Sequence, residues 1–264
     1  MIYAEELWVA RRAAAEAAAL LVGRSGAEEV REKARADLVT AVDEAAERAV
    51  LSRIRAHFPG DRIVAEESAR EMVEEGRRWI VDPLDGTINY VHGHPFVCVS
   101  IAFADAEGPA VGVIHAPLLG EVYHAIRGRG AFRNDQPIRV SEIDDPSAAL
   151  LATGFPFKTG KGDPESYFRL VTEFLHTTHG VRRAGSAALD LAYVASGRVE
   201  AFFEIGLSPW DIAAGMLLVT EAGGKVGGWP GDSRPPLVTG RLLASNGFLH
   251  PWLESVTTAY VPAL

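Results

Sequence analysis

Short apolar runs that stop at acidic residues recur in the first part of the chain. Residues 79–81 (WIV) precede the polar segment 82–87 (DPLDGT), and residues 62–65 (RIVA) precede 66–68 (EES). Aromatic and β-branched residues favour strands, whereas Pro83 has no N–H to donate to a sheet. The pattern therefore predicts two strands, and it predicts that pairing in the second strand stops at Pro83.

Helical periodicity precedes these strands. Residues 7–22 form an alanine-rich run that predicts a helix ended by Gly23, and residues 42–54 carry apolar side chains at helical spacing. Thr40 and Asp43 have the spacing of a capping box, in which Asp43 replaces the usual Glu or Gln. On the chemistry of these residues alone, helix capping is favoured over catalysis as the explanation of Asp43.

From residue 96 onward, short alternating runs are separated by turn residues. Four runs predict an antiparallel meander, and strands alternate with helices in the second half. This order predicts an α/β sheet packed beside a mostly antiparallel first half, in one unit over 1–264 with sub-halves of roughly 1–145 and 146–264. The predicted strands are 97–103, 110–115, 121–127, 131–133, 148–152, 181–183 and 199–205, the predicted helices are 163–175, 187–195 and 208–222, and the charged residues 69–76 are expected to form a surface loop or irregular helix.

Composition and charge narrow the range of partners. The 264 residues are 48% hydrophobic and 23% charged, as in an ordinary globular protein. Lys and Arg number 26 against 35 Asp and Glu, and the net charge of -9 disfavours nucleic acid or an anionic membrane as the main partner. The single cysteine, Cys98, fits a reducing cytoplasm, and charged residues interrupt the N-terminal apolar run, so no signal peptide is expected.

The segment 82–87 carries the first candidate chemistry. Gly86 allows a close approach of the backbone to a ligand, and Thr87 can cap a following helical turn whose N–H groups face an anion. Asp82 and Asp85 would repel that anion unless a hard divalent cation such as Mg²⁺ bridged them to a phosphate. An ordinary turn explains the same residues, because Asp, Pro and Gly each favour turns.

Other acids also have two explanations each. Asp211 lies in the first turn of a predicted buried helix, where it would either stabilise the helix dipole or bind a metal. Glu204 interrupts an apolar strand, where it would either face solvent or contact a polar ligand. Glu66 and Glu67 are adjacent at a strand end, so only one of them can face a shared site.

Two segments, 82–87 (DPLDGT) and 210–215 (WDIAAG), resemble the signature motifs of the inositol monophosphatase family, which are Mg²⁺-dependent, lithium-sensitive phosphatases. Supporting segments follow in the order of the family and cover essentially the whole chain. The resemblance implies a layered αβαβα sandwich of the sugar phosphatase type, between the α+β and α/β classes, and a homodimer. The supporting segments are 37–40 (DLVT) with Asp43, 66–68 (EES), 185–188 (GSAA) and 203–206 (FEIG).

The resemblance also implies a metal site. Glu66, Asp82 and the backbone carbonyl of Leu84 would hold a first Mg²⁺, whereas Asp82, Asp85 and Asp211 would hold a second. A third, weaker ion would lie on Glu66 through water. Because no histidine or cysteine joins this set, Mg²⁺ is favoured, with Mn²⁺ as a possible substitute.

Catalytic and substrate-binding roles follow from the same resemblance. Thr87, supported by Asp43, would orient and help to deprotonate the attacking water, so that Thr87, Asp43 and Glu66 are the candidate catalytic residues; for Asp43 this reverses the preference for capping. Ala65 and Ser186 depart from the glycine and threonine that are common in the family, which leaves the pocket less defined than the metal site. The implied substrate contacts are Asp85, Gly86, Thr87, Ser186, Ala187, Glu204 and Asp211, with Thr153 and Gly154 on the rim.

The predicted reaction is direct, in-line hydrolysis of a phosphate monoester without a phospho-enzyme. The expected substrate is a small phosphorylated polyol or sugar, with myo-inositol 1-phosphate first. Fructose 1,6-bisphosphate, histidinol phosphate and a 3′-phosphoadenosine nucleotide are alternatives on the same chemistry. A binding or regulatory protein that has kept the fold is the alternative from a different class.

Overall fold

The computed structural model describes residues 2–23, 30–34, 37–68, 76–155 and 164–260. The predicted surface segment at 69–75 and the predicted helix start at residue 163 lie outside the described residues. The described elements are, in order, α1 (Ala4–Gly23), β1 (Val30–Ala34), β2 (Asp37–Thr40), α2 (Ala41–His57), β3 (Arg62–Ala65), β4 (Arg78–Asp85), α3 (Thr87–Val91), β5 (Cys98–Asp105), β6 (Gly108–Ala116), β7 (Glu121–Ile126), β8 (Ala131–Arg133), β9 (Gln136–Ile138), β10 (Leu150–Thr153), α4 (Pro164–Thr177), β11 (Gly180–Arg182), α5 (Ala187–Ala195), β12 (Ala201–Ile205), α6 (Pro209–Glu221), β13 (Lys225–Gly227), α7 (Pro236–Thr239), β14 (Arg241–Ser245) and α8 (His250–Tyr260), with a 3-10 turn at Pro146–Ala148.

Two mixed sheets form the framework. The first has the strand order β3-β4-β5-β6-β7-β8-β9 and is antiparallel except for the parallel pair of β3 and β4. The second has the order β11-β10-β12-β14-β13, in which β10 runs parallel to β11 and β12 while β14 runs antiparallel to its neighbours. The predicted meander and the predicted α/β sheet are both present.

Helices cover the outer face of each sheet and fill the space between them. Helices α1 and α2 pack on the first sheet, α5 and α6 lie between the two sheets, and α4 and α8 pack on the second sheet. This order of layers is αβαβα and confirms the predicted fold class. Since both faces of β4 are covered, its apolar residues alternate between two cores: Trp79 and Val81 face α1 and α2, whereas Ile80 faces α5 and α6.

Strand β4 differs from its prediction at one point. Pairing with β5 is regular up to Asp82 opposite Ser100, becomes irregular, and resumes with Asp85 opposite Cys98. The predicted end of the strand at Pro83 is therefore wrong. Proline removes one ladder hydrogen bond, but a bulge accommodates it and the strand continues beyond it.

The close packing of β6 on α6 can be tested at Gly112. A Cβ added there would lie 2.8 Å from the carbonyl oxygen of Ala214 and 3.1 Å from its Cα, and a backbone cannot move away as a flexible side chain can. We expect Gly112→Ala to lower the free energy of unfolding by about 1–3 kcal/mol, measured by urea denaturation. Gly60→Ala is the control, because a Cβ at Gly60 would have no atom within 4 Å. An unchanged unfolding midpoint for Gly112→Ala would contradict this packing.

Candidate active site

The bulge in β4 positions two carboxylates. Asp82 is buried, and its Oδ1 accepts the N–H of Leu84 at 3.0 Å, so the side chain folds over the bulge that contains it. Asp85 Oδ2 accepts the Ser186 hydroxyl at 2.7 Å and the N–H of Ala188 at 2.8 Å. Both donors lie at the N-terminus of α5, where the helix dipole favours a negative charge.

Gly86 connects β4 to the short helix α3. It has a φ of 96° and forms the N-cap of α3, and a Cβ added to it would lie 3.0 Å from the carbonyl oxygen of Phe96. Glycine is therefore required here both by the left-handed backbone and by the close approach of another chain segment. The prediction that Thr87 caps this helix is wrong, because Thr87 is the first helical residue and its hydroxyl points elsewhere.

The Thr87 hydroxyl faces Asp43. Thr87 Oγ1 lies 3.0 Å from Asp43 Oδ1 and 3.1 Å from the carbonyl oxygen of Leu84. The other carboxylate oxygen of Asp43 accepts the backbone N–H of Thr40 at 2.8 Å, which completes the predicted capping box. The two explanations of Asp43 are thus compatible, since one oxygen caps α2 and the other contacts Thr87. Burial raises the pKa of Asp43.

The loop after β3 is held by a residue that the sequence analysis did not single out. Glu66 donates its N–H to the carbonyl oxygen of Val81 at 3.2 Å, and Glu67 donates its N–H to Glu47 Oε2 at 2.9 Å. Glu47 is buried on α2, one helical turn after Asp43. The sequence contained a signal for Glu47, because it is an acidic residue within the apolar stripe of a predicted helix.

Asp211 and Glu204 meet in a cavity of about 130 Å³. Asp211 belongs to the capping box of α6, where its Oδ2 accepts the N–H of Ser208 at 2.6 Å. Glu204 lies against Gly154 so closely that a Cβ on the glycine would overlap its carboxyl group. Glu204 therefore faces this cavity rather than bulk solvent, and its contact with a ligand stays a prediction. The cavity is lined by Asp85, Thr153, Gly154, Arg183, Gly185, Ser186, Ala187, Asp190, Glu204, Leu207 and Asp211.

These carboxyl groups oppose one another electrostatically. Burial, followed by the charges of Glu66, Asp85 and Asp211, holds the pKa of Asp82 well above its usual range. Burial and then Asp211 raise the pKa of Asp85 to about 7, and the same two causes raise the pKa of Glu204 to about 8. The structure thus brings four predicted metal ligands into one electrostatic cluster.

The donor set fits a hard divalent cation. Buried carboxylates that repel one another are stabilised by a positive charge, and carboxylate and carbonyl oxygens are the ligands of Mg²⁺ and Mn²⁺. In the part of the chain that the structure describes, no three acidic, histidine or cysteine side chains converge closely enough to hold an ion as they stand. Asp85 and Asp211 instead give oxygens to hydroxyl and backbone donors. Their roles as ligands stay predictions.

Two further cavity residues were missed. Asp190 is buried on α5 and Arg183 follows β11, and both line the cavity with Glu204. Asp190 is the only acid in the otherwise apolar helix Ala187–Ala195, a signal that the sequence contains. Arg183 follows Arg182 in a run without periodicity, so no local pattern distinguished it.

The fold and the acidic cavity together define a protein of the layered α/β phosphatase class. The sequence model of the inositol monophosphatase family matches residues 3–261. The chain therefore belongs to the inositol monophosphatase family, as its motifs predicted.

Individual relatives agree with this assignment. The chain is 42% identical to the inositol-1-monophosphatase of Synechocystis sp. over 238 residues, which cover 88% of this chain and 81% of that one. It is 44% identical to the Nus factor SuhB of Escherichia coli K12 over 219 residues, 83% of this chain and 81% of the other. The solved structure of inositol monophosphatase from Anabaena matches with a TM-score of 0.87 and 42% identity, and covers 99% of this chain and 98% of its own. No helix among the described residues has the length and apolar character needed to cross a membrane.

The pKa of Asp85 makes the stability of the metal-free protein depend on pH. Between pH 3.8 and about 7 the folded carboxyl group keeps its proton while the unfolded one releases it, so the stability falls as the pH rises through this window. Asp85→Asn cannot titrate. The melting temperatures of both proteins are measured with a chelator present. As the pH rises from 3.8 to about 7, we expect the melting temperature of the wild type to fall relative to that of Asp85→Asn. Asp144→Asn, at an exposed position, is the matched control. If the difference in melting temperature between the wild type and Asp85→Asn did not change with pH, the raised pKa of Asp85 would be contradicted.

The contact between Glu47 and the loop after β3 gives a second test. Glu47→Ala removes the carboxylate that accepts the Glu67 N–H, so we expect a loss of about 1–3 kcal/mol in the free energy of unfolding. Glu47→Gln keeps an oxygen acceptor and should lose less. Hydrogen exchange at the Glu67 amide should become faster in the alanine variant only. Equal exchange rates in both variants and the wild type would rule out this contact.

Proposed function

We propose that the protein is a Mg²⁺-dependent phosphatase that hydrolyses phosphate monoesters of polyols, with myo-inositol 1-phosphate as its substrate. The observation that carries the proposal is the cluster of carboxyl groups in which the buried Asp82 is repelled by the half-buried Glu66, Asp85 and Asp211, beside the Thr87–Asp43 contact. Membership of the inositol monophosphatase family supports the same activity.

The cation ligands proposed here are those that the family resemblance implies. One ion would take Glu66, Asp82 and the carbonyl of Leu84, a second would take Asp82, Asp85 and Asp211, and a third, weaker ion would lie on Glu66. When bound, such ions neutralise the phosphate charge, lower the pKa of water and stabilise the departing alkoxide. The oxygen-only donor set favours Mg²⁺, with Mn²⁺ as a substitute.

Thr87 and Asp43 orient the attacking water. Thr87 Oγ1 donates to Asp43 Oδ1 at 3.0 Å, which leaves its lone pairs to accept a hydrogen bond from water. A proton can then pass from water through the hydroxyl to Asp43, whose raised pKa makes it a better proton acceptor than an exposed carboxylate. Water attacks phosphorus in line and directly, without a phospho-enzyme.

The remaining cavity residues bind the substrate. The N–H groups of Gly86 and Thr87 would hold the phosphate, and Ser186, Ala187 and Glu204 would contact the hydroxyl-bearing part. Thr153 and Gly154 form the rim, where the contact between Gly154 and Glu204 leaves no room for a larger residue. Fructose 1,6-bisphosphate, histidinol phosphate and a 3′-phosphoadenosine nucleotide remain the competing substrates on the same chemistry.

Family membership supports three further properties as proposals. We infer a homodimer, sensitivity to lithium, and a cytoplasmic location, the last of which agrees with a single buried cysteine. Analytical ultracentrifugation and inhibition by LiCl test the first two.

A regulatory role is the second candidate, because several relatives carry the name Nus factor SuhB. Isothermal titration that detects binding of a phosphate ester without Mg²⁺-dependent release of product would favour this role over catalysis.

The metal ligands give the decisive test of the phosphatase. Asp82→Asn and Asp211→Asn each remove a negative charge from the proposed cation site. We expect each to lower kcat for myo-inositol 1-phosphate by more than about 100-fold. Loss of a residue that only hydrogen-bonds a metal ligand already lowers activity by up to about 100-fold, and loss of the ligand itself should lower it further. The measurement is phosphate release at saturating Mg²⁺, with Asp144→Asn as the matched control on the surface. Activity close to that of the wild type in either variant would end the proposal.

The same assay identifies the substrate. We expect myo-inositol 1-phosphate to have a higher kcat/KM than fructose 1,6-bisphosphate, histidinol phosphate and 3′-phosphoadenosine 5′-phosphate. A higher value for any of these three would move the assignment to that substrate and leave the metal chemistry intact.

A further inference from the structure

The side chain of Asn89 joins three segments of the chain around the proposed phosphate site. Asn89 lies in the short helix α3, which Thr87 begins. Its amide nitrogen donates to the carbonyl oxygen of Phe96 at 2.8 Å and to that of Ala184 at 2.9 Å. A primary amide has two N–H donors, so both are used. One side chain thus connects α3 to the segment before β5 and to the segment before α5.

The contact with Phe96 lies directly beside the turn that would hold the phosphate. The same carbonyl oxygen of Phe96 would lie 3.0 Å from a Cβ added to Gly86, so it is a close neighbour of that glycine. The backbone N–H of His94 donates to the carbonyl oxygen of Asn89 at 2.8 Å. Asn89 therefore fixes this loop against the turn at Gly86 through both its side chain and its backbone.

The contact with Ala184 leads to Asp85. Ala184 lies between β11 and α5, outside both elements, so neither a strand ladder nor a helix fixes its position. Gly185 packs on the amide of Asn89 so closely that a Cβ would lie 3.1 Å from its nitrogen. The next residue, Ser186, donates its hydroxyl to Asp85 Oδ2 at 2.7 Å. The position of this hydroxyl, and of the N-terminus of α5 with it, therefore depends on Asn89.

The two contacts of Asn89 have a consequence beyond satisfying two carbonyl groups. In the proposed function, the N–H groups of the turn 86–87 hold the phosphate while Asp85 holds a cation. A phosphate oxygen must meet the cation and the N–H groups at the same time, and a misplacement of about 1 Å can lower a rate by about 100-fold. The distance between the turn and Asp85 is thus a quantity that the site has to control.

We propose that Asn89 is a positioning residue that fixes the distance between the phosphate-binding turn 86–87 and the cation ligand Asp85. It acts through the segment before α5 and the hydroxyl of Ser186, and not by contact with the substrate. This inference rests on the proposed phosphatase activity and adds to it a residue that holds two parts of the site in register.

Hydrogen exchange in the metal-free protein tests the link from Asn89 to α5. Ala188 donates its N–H to Asp85 Oδ2 at 2.8 Å, so its exchange rate reports how firmly the N-terminus of α5 holds that carboxyl group. Asn89→Ala removes both donors to the carbonyl groups. We expect the Ala188 amide, followed by NMR, to exchange at least about fivefold faster in this variant, which is the effect of losing one ordinary hydrogen bond.

Asn246 provides a matched control. Its amide nitrogen also donates to a backbone carbonyl oxygen, that of Ile143, at 2.7 Å. Asn246 follows β14 at the end of the strand that lies away from Glu204. We expect Asn246→Ala to lower the melting temperature but to leave the exchange rate of the Ala188 amide as it is in the wild type.

Titration with Mn²⁺ tests the consequence for the cation site. Loss of a residue that orients a metal ligand lowers metal affinity by about 10-fold to 100-fold, and Asn89 acts one step further out. We therefore expect the Kd for MnCl₂, measured by isothermal titration calorimetry, to rise by about tenfold in Asn89→Ala. It should not change in Asn246→Ala. A role of Asn89 in stability alone would lower the melting temperature and leave this Kd unchanged.

A second variant covers the case in which Asn89→Ala does not fold. Asn89→Leu keeps a branched side chain without hydrogen-bonding groups, and we expect the same changes in exchange rate and in Kd. Unchanged exchange of the Ala188 amide in a folded Asn89 variant would overturn the proposal. Faster exchange with an unchanged Kd for Mn²⁺ would also overturn it and leave the phosphatase proposal intact. If the wild type bound no Mn²⁺, the proposed phosphatase would be refuted, and this inference with it.

Discussion

The site depends on the repulsion between acidic side chains that the fold holds close together around the buried Asp82. Burial and neighbouring carboxylates hold the pKa of Asp82 well above its usual range, and Asp85 is affected in the same way. Such a cluster opposes folding unless donors or cations compensate for it. The fold supplies donors from the N-termini of two helices: α5 holds Asp85, and α6 holds Asp211. We propose that a divalent cation provides the rest, and its binding would then be coupled to stability.

The two helices that supply these donors, α5 and α6, lie between the two sheets. Their positions are therefore determined by how closely they pack on the sheets and on each other. Gly112 on β6 lets the backbone of α6 approach the first sheet, and Gly215 on α6 fits against Leu191 of α5. A larger residue at either glycine would separate the layers. These glycines at the contacts between layers therefore determine how closely Asp211 on α6 approaches the carboxylates of β4.

Several acids serve local structure and the site at the same time. Asp43 caps α2 with one oxygen and contacts Thr87 with the other, and Asp211 completes the capping box of α6 while it lines the cavity. A carboxylate has two oxygens with about four acceptor positions, so one side chain can satisfy both demands. For residues of this kind, a complete structural explanation does not argue against a functional one.

Local sequence determined most of the elements and the positions of the acids along them, because periodicity, capping and turn chemistry act between residues that are close in the chain. The two motifs, 82–87 and 210–215, together identified the family. No single acidic residue could do so, because each acid also had a local structural explanation. Only the tertiary structure decided that β4 continues past Pro83 through a bulge, and that Glu204 faces the cavity. It alone brought Glu47 to the loop of Glu66 and Asp190 to the wall of the cavity. These outcomes depend on which elements pack together across long stretches of chain, and the pattern within one element does not specify its packing partner.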